Sequence, residues 1–388
     1  MMVNKLIETF KKQASFTKAY SPLYTTLFAS IASWLENNPD CETRRWLVDV
    51  SSTRSPLETS LLLMAGMHRE VLLDAPGTQE LRQYYPSVGG SKSHNDIGLP
   101  KIFAEALTSR KESLSEMMQN ATVQTNETAR GIFWLFPAVV TGWGSMHLID
   151  LGASAGLNLV GEQRRFAMVG PDFSEFASFG LAPSTQFVTK CEPVIPHSWN
   201  ALSDIPCILT RSGCDLNPLP LETDIDQKIL KSFVWADQLE RMARLEEGIM
   251  AHASVSTKQQ IQVMPANLPH DLPYFLRSLS LDDDKAPVLI YNTYMTAYLE
   301  NEGLALYDYI ADWAAETNRH VLWAQAEPPK EGMVEAPDNF HWCAWTIDLW
   351  QPGKGHSSWH IAWVHPHGTE VKWLNPSLEL FLQEFSQL

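Results

Sequence analysis

Hydrophobic and polar positions divide the chain into two regimes. Through residues 1–135 apolar side chains recur at helical spacing. Leu6, Phe10 and Phe16 begin an amphipathic stretch, and Leu23, Leu27, Ile31 and Trp34 line one face of a second helix. That helix opens at Ser21-Pro22, where proline is tolerated because first-turn N–H groups have no helical partner. Ser55-Pro56 opens a third run, Leu57 to Leu73, in the same way. Tyr84-Tyr85-Pro86-Ser87-Val88-Gly89-Gly90 breaks the period and predicts a loop. Helical patterning resumes near Leu99 and again from Asn126 to Val140.

From His147 the pattern changes. His147-Leu148-Ile149-Asp150-Leu151 is a short apolar run closed by a glycine-rich turn, and residues 157–165 then look helical. Residues 170–210, rich in Pro, Ser and Phe, read as an insertion with a hairpin around Phe187 to Cys191. Pro206 to Cys214 predicts a strand, and Ile225 to Met250 one long periodic helix. Within it, Trp235 to Arg244 has the charge spacing of a solvated face. Strands at Gln260 to Met264, Pro287 to Asn292 and His320 to Ala326 then alternate with helices at Leu272 to Leu279 and Glu302 to Thr317. Such alternation implies a mostly parallel sheet. His341 to Leu349 and Ser358 to His365 follow with no helix between them, which predicts an antiparallel edge pair. The expected organisation is a helical domain over residues 1–135 and an α/β domain over 136–388.

A chain of 388 residues exceeds what one core usually holds, consistent with that division. Hydrophobic residues at 45% and charged residues at 19% fit a globular protein. The 14 tryptophans are expected in cores or pocket walls. A net charge of −16, with 29 basic against 45 acidic residues, disfavours a nucleic-acid partner. The cysteines at 41, 191, 207, 214 and 343 form no Cys-x-x-Cys pair, which argues against a zinc site or a disulfide framework and for a reduced cytoplasmic compartment. The N-terminal segment carries lysines and no long apolar run, so no secretory signal is expected. No apolar stretch of about 18 residues predicts a membrane span.

The strongest chemical signal is Asp150-Leu151-Gly152-Ala153-Ser154-Ala155-Gly156. Gly152 permits a tight turn, Ala153, Ser154 and Ala155 let backbone approach a ligand, and Gly156 lets the next helix pack close. N–H groups at that helix start can hold a carboxylate or phosphate. Asp150 can accept hydrogen bonds from an amino group. A dinucleotide site would want Gly-x-Gly-x-x-Gly, and here Ser154 stands in the middle with different spacing. Gly152 to Gly156 also matches Gly-x-Ser-x-Gly, the nucleophile elbow of α/β-hydrolases, with Asp215, Asp271 and His356, His360, His365 or His367 as conceivable partners for Ser154. That elbow normally follows several strands, whereas here it follows the first. A tight turn without chemistry is the bland alternative.

Asp-Leu-Gly-x-x-x-Gly after an apolar strand resembles the first motif of class I S-adenosylmethionine-dependent methyltransferases. The resemblance implies a Rossmann-like sheet, mostly parallel with the antiparallel C-terminal edge pair, with S-adenosylmethionine as cofactor. It assigns cofactor contacts to Asp150, Gly152, Ala153, Ser154 and Gly156. It assigns the ribose-binding acid to Asp215, beside Leu216, in Cys214-Asp215-Leu216-Asn217-Pro218; adenine contacts to Ala266 and Asn267; and a position near the reacting methyl to Asn292 and Tyr294. Asp215 stands much further from Asp150 than the about 20 residues usual for such folds, so the insertion must account for the gap, and Glu192 is a rival for its role.

As a set, Ser21-Pro22-Leu23-Tyr24, Tyr85-Pro86-Ser87-Val88-Gly89-Gly90, Gln124-Thr125-Asn126-Glu127, Gly152 to Leu159 and Cys214 to Pro218 resemble a bacterial family, domain of unknown function 2332, over nearly the whole chain. This implies a bacterial origin and a methyltransferase-like fold, and supplies no substrate.

For acceptor-side chemistry the candidates are Asn126, Glu127 and Arg130, at the start of a helix leading to the sheet, with Tyr294. Thr125 or Asn126 as a helix cap is the competing explanation. Tyr294 and Tyr298 are spaced as pocket wall or core. Glu327 ends a strand and either faces the cleft or starts a loop. The histidines at 356, 360, 365 and 367 are unevenly spaced, and no metal is expected. Three functions stay open: methyl transfer to a small-molecule acceptor, with the helical domain covering the carboxyl ends of the strands; hydrolysis through Ser154; and cofactor binding or regulation without transfer.

Overall fold

The computed structural model of the protein describes residues 2–124, 127–182, 187–192, 204–281, 285–329, 336–337 and 342–385. Asn126 and much of the stretch after Glu192 lie outside them. The chain forms two units, Met1–Asn126 with Leu219–Glu246, and Glu127–Pro218 with Glu247–Leu388. The helix Ile132–Thr141, which the boundary expected after residue 135 would cut, packs within the second unit.

In the first unit the helices Met2–Thr17, Pro22–Asn37, Pro56–Leu72 and Leu99–Ser109 bury their apolar stripes together around Phe10, Leu27, Phe28, Leu62 and Phe103. Pro56–Leu72 begins with a capping box between Ser55 and Glu58. Pro22–Asn37 begins differently. Ser21 makes no side-chain cap bond to its own helix. Instead Asp237 accepts the Ser21 hydroxyl at 2.6 Å and the Leu23 backbone N–H at 3.0 Å.

Asp237 can do this because the helix expected over 225–250 is two helices, Asp224–Ser232 and Leu239–Ser256. Between them Trp235 leaves the helical path and stacks on both Tyr20 and Tyr24, with ring centroids 5.4 Å away in each case. The segment from Trp235 is therefore partly a packing and capping element rather than a solvated face. Periodicity reports a segment's own repeat and cannot register a contact with residues 20–24.

The second unit carries strands β1 (Ser145–Leu151), β2 (Phe166–Val169), β3 (Glu175–Phe179), β4 (Phe187–Glu192), β5 (Cys207–Asp215), β6 (Ile261–Pro265), β7 (Val288–Thr293), β8 (Val321–Glu327), β9 (Cys343–Gln351), β10 (Gly355–Val364) and β11 (Glu370–Trp373). Among the described residues they form one mixed sheet in the order β3-β2-β4-β11-β10-β9-β8-β7-β1-β5-β6. Strands β6, β5, β1, β7 and β8 are parallel neighbours. Numbered along the chain, those five stand 3-2-1-4-5, so the direction of winding reverses between β1 and β7.

The central strands are near-continuous apolar runs because helices cover both faces. Leu148, Leu289 and Leu322 face the helices Ile132–Thr141 and Asn375–Phe385. Ile149, Ile290 and Trp323 face Leu272–Ser278 and Ala305–Thr317.

Two expectations change. Strands β9 and β10 are an antiparallel pair but do not form the edge, because β11 pairs with β10, and β4, β2 and β3 extend the sheet beyond it. Those added strands satisfy backbone groups that a bare β10 edge would leave open. Strand β2 precedes the supposed insertion and β11 comes from near residue 370; the insertion itself supplies β3 and β4. The hairpin is β2–β3, closed where the Gly170 N–H donates to the Ser174 carbonyl at 2.9 Å, while β4 runs parallel to β2.

Asp237→Ala removes the remote cap of Pro22–Asn37 and is expected to cost about 1–2 kcal/mol. Urea unfolding checks this; an unchanged midpoint would show that the cap contributes nothing.

Candidate functional site

The residues singled out around the glycine loop converge at the carboxyl ends of β1, β5, β6 and β7. Gly152 (φ 84°), Ser154 (φ 53°) and Gly156 (φ 74°) all take left-handed backbone, which costs little for glycine and is strained for serine. The Gly152 and Ala153 N–H groups donate to the Cys214 carbonyl at 2.8 and 2.9 Å, and the Gly156 N–H to the Ala153 carbonyl at 2.7 Å. The Ser154 N–H donates to Asp215 Oδ2 at 2.9 Å, and Asp215 Oδ1 accepts from the Asn217 N–H at 3.0 Å.

The loop is thus tied to the end of the neighbouring strand, and these four amides donate within the protein rather than presenting a free anion cradle. Gly213, which motif matching passed over, makes the fit possible: a Cβ there would stand 2.6 Å from the Ala153 Cβ. The loop leads into a 3₁₀ turn, Leu157–Gln163. Glu162 pins that turn to β5 by accepting from both terminal nitrogens of Arg211, at 2.6 and 3.0 Å, in a buried pair.

Asp150 is buried beside the loop and accepts the Tyr291 hydroxyl. Burial pushes its carboxyl up to about 7, Asp215 adds to the rise, and the Tyr291 bond and the Arg130 charge oppose it. On the β6 side the Ala266 N–H donates to the Asp215 carbonyl at 2.8 Å, and the Asn267 N–H to Asp271 Oδ2 at 2.8 Å. Ala266 is buried; Asn267 and Leu216 are exposed.

Asn292 is fully buried, and both ends of its amide are engaged: Nδ2 donates to Glu327 Oε1 at 2.7 Å and Oδ1 accepts the Trp323 indole N–H at 2.6 Å. Its place is in the frame of the site rather than at an open surface. Glu192, the rival acid, lies on β4 with β11, β10, β9, β8 and β7 between it and β1, and pairs with Lys190 at 3.5 Å.

The acceptor-side candidates gather beyond β7. Arg130 is buried; its Nε donates to the Pro366 carbonyl at 2.9 Å and its Nη1 to the Thr293 carbonyl at 3.4 Å. Its guanidinium lies over the Tyr294 ring at 5.6 Å. The Glu127 carboxylate accepts the Ala129 N–H at 3.3 Å and lies 3.5 Å from His367 Nδ1. His367 was missed as a neighbour of Glu127 because only the fold joins them.

His356 pairs with Asp348 at 2.9 Å, and the His360 ring contacts the Ala362 carbonyl at 3.1 Å. Among the described residues no three His, Cys, Asp or Glu side chains gather to hold a metal ion, and no helix is long and apolar enough to cross a membrane.

Fold and site together define an α/β protein with a helical companion unit and a polar cluster where its sheet reverses winding. Residues 7–373 match the family described as an uncharacterized protein conserved in bacteria, domain of unknown function 2332, and the chain belongs to that family. No curated protein and no solved structure matches it.

The Asp150 environment has a measurable consequence. An unfolded aspartate ionises near pH 4, and the folded one near about 7. Between those values the folded state holds a proton that the unfolded state has lost. Stability therefore falls as pH rises through this window, by at most about 1.4 kcal/mol per pH unit from this group. Asp150→Asn is expected to stabilise the ligand-free protein increasingly from about pH 4 to 7 and by a constant amount above. Denaturant midpoints across that range test it, and a gain independent of pH would contradict the assignment.

Proposed function

We propose that the second unit binds S-adenosylmethionine and transfers its methyl group to a small-molecule acceptor. The observation that carries this reading is the position of the glycine-cornered loop. It follows the first of five parallel strands ordered 3-2-1-4-5, at the point of reversal, with Asp215 at the end of the adjoining strand holding the loop. Ligands of open α/β sheets bind outside the carboxyl ends of the strands at this switch point.

The chain distance between Asp150 and Asp215 fits the reading as well. β2, β3 and β4 lead away to the far part of the sheet before β5 returns beside β1. In this reading the Asp150 carboxylate takes the cofactor amino group, Asp215 the ribose hydroxyls, and Ala266 and Asn267 flank the adenine. The residues' task is alignment and exclusion of water, since methyl transfer from a sulfonium needs little acid–base help.

Hydrolysis through Ser154 has one supporting observation, its left-handed backbone at a sharp strand-to-helix turn (φ 53°). Asp215 and Asp271, the acids it would need, are bonded to loop amides. Cofactor binding without transfer uses the same contacts and differs only in turnover.

Thermal unfolding with S-adenosylmethionine, S-adenosylhomocysteine and NAD tests the proposal. At about 100 times its dissociation constant a ligand adds about 2.7 kcal/mol, a shift of a few degrees. Both adenosyl sulfur compounds are expected to shift wild type, NAD is not, and Asp215→Ala is expected to lose the shift while Ser154→Ala keeps it. Folded protein that responds to none of them sinks the proposal.

A further inference from the structure

Arg130 is a buried cation held by two carbonyls, with no carboxylate within 4 Å among the described residues. It is 7% exposed. Its bonds to the Pro366 and Thr293 carbonyls fix the guanidinium plane and leave Nη2 with no hydrogen-bond partner among the described residues, yet Nη2 is not among the sealed polar atoms. The Glu127 and Glu327 charges act on it electrostatically and offset part of its burial cost.

Arg164 and Arg211, buried in the same unit, show the contrast: each has a carboxylate within reach, Glu247 at 3.1 Å and Glu162 at 2.6 Å. A buried guanidinium with no carboxylate in contact is costly, and an anionic ligand reduces that cost. The glycine loop does not compete for the anion, since its Gly152, Ala153, Ser154 and Gly156 N–H groups donate within the protein.

The chemistry of that anion is constrained. With the Nε N–H and one Nη1 N–H taken by carbonyls, the end of the guanidinium that carries Nη1 and Nη2 keeps the planar fork that matches a carboxylate bidentately. The nearby negative charge of Glu127 and Glu327 works against a dianion such as a phosphate monoester. Arg130 bonds the end of β7 and the turn after β10, whereas Asp215 and the loop it holds lie on the β1–β5 side. We infer that Arg130 binds a carboxylate of the methyl acceptor, so that the substrates are small carboxylic acids. This rests on the methyltransferase reading.

The experiment measures thermal shifts of the full chain, wild type against Arg130→Met and Arg130→Lys. The first probes are S-adenosylhomocysteine and 5′-methylthioadenosine, which lacks the amino-acid end. The second set is acetate, benzoate and succinate, with benzamide as control, added over saturating S-adenosylhomocysteine at matched ionic strength.

The expected result is a carboxylate shift in wild type and none with benzamide. Arg130→Met should weaken carboxylate binding roughly tenfold to hundredfold, with both adenosyl ligands unaffected. Arg130→Lys should keep the charge, lose the fork and fall between. If the methionine variant does not fold, the lysine variant carries the comparison.

No response to any carboxylate, or one that survives Arg130→Met, overturns the inference. Loss of the S-adenosylhomocysteine shift alone, with 5′-methylthioadenosine unaffected, assigns Arg130 to the cofactor and also overturns it. An Arg130-dependent carboxylate shift in protein that binds neither adenosyl compound upholds the carboxylate subsite and rejects the methyltransferase reading.

Discussion

Glu327 ends β8 with its side chain 3% exposed. Its oxygens accept from the Asn292 amide, the backbone N–H groups of Met295 and Thr296, and the Thr296 hydroxyl. Burial alone disfavours the charged carboxyl; these donors favour it and offset part of that cost. In exchange the loop after β7 is tied to the end of β8 through Met295 and Thr296. Met295 is set against Gly152, where an added Cβ would meet the Met295 Cβ at 3.1 Å. Thr293 presents its carbonyl to Arg130, and the Tyr294 N–H closes onto the Ala326 carbonyl at 2.9 Å. The loops after β1 and β7 thus interlock through a group that reaches neither glycine loop nor solvent.

The far part of the sheet is built by a similar exchange. Strand β3 is followed by Gly180, whose left-handed backbone (φ 108°) carries the chain so close to Arg164 that a Cβ would lie 1.5 Å from its carbonyl oxygen. The Leu181 N–H then bonds the Glu162 carbonyl at 2.7 Å. Glu162 also grips Arg211 on β5, so the excursion through β2 and β3 is fastened to the same turn that follows the glycine loop.

Much of the fold was legible in the pattern of side chains. The Pro22 and Pro56 helices, the first strand and its turn, and the alternating strands β5 to β8 all follow local rules, namely period, proline placement and small residues at a tight turn. What escaped has its cause elsewhere in the chain. Trp235 leaves its helix for two tyrosines near the N-terminus, and β11, the new neighbour of β10, pairs in turn with β4 from residues read as an insertion. The candidate site divides the same way. Asp150, Gly152 and Asp215 were found by motif, whereas the engagement of Asn292, the fit of Gly213 against Ala153 and the approach of His367 to Glu127 arise only when distant strands meet.

The remote cap has a consequence for synthesis. Asp237 bonds a serine 216 residues earlier in the chain. At about 5–20 residues per second, the N-terminal helices wait on the order of 10–40 s for it to leave the ribosome. In that interval β1 to β5 are already made. The first unit to emerge is therefore not complete until residues 219–246 have followed it. A nascent chain stalled before Trp235 is expected to hold its N-terminal helices open to proteases and chaperones, with their apolar stripes only partly buried.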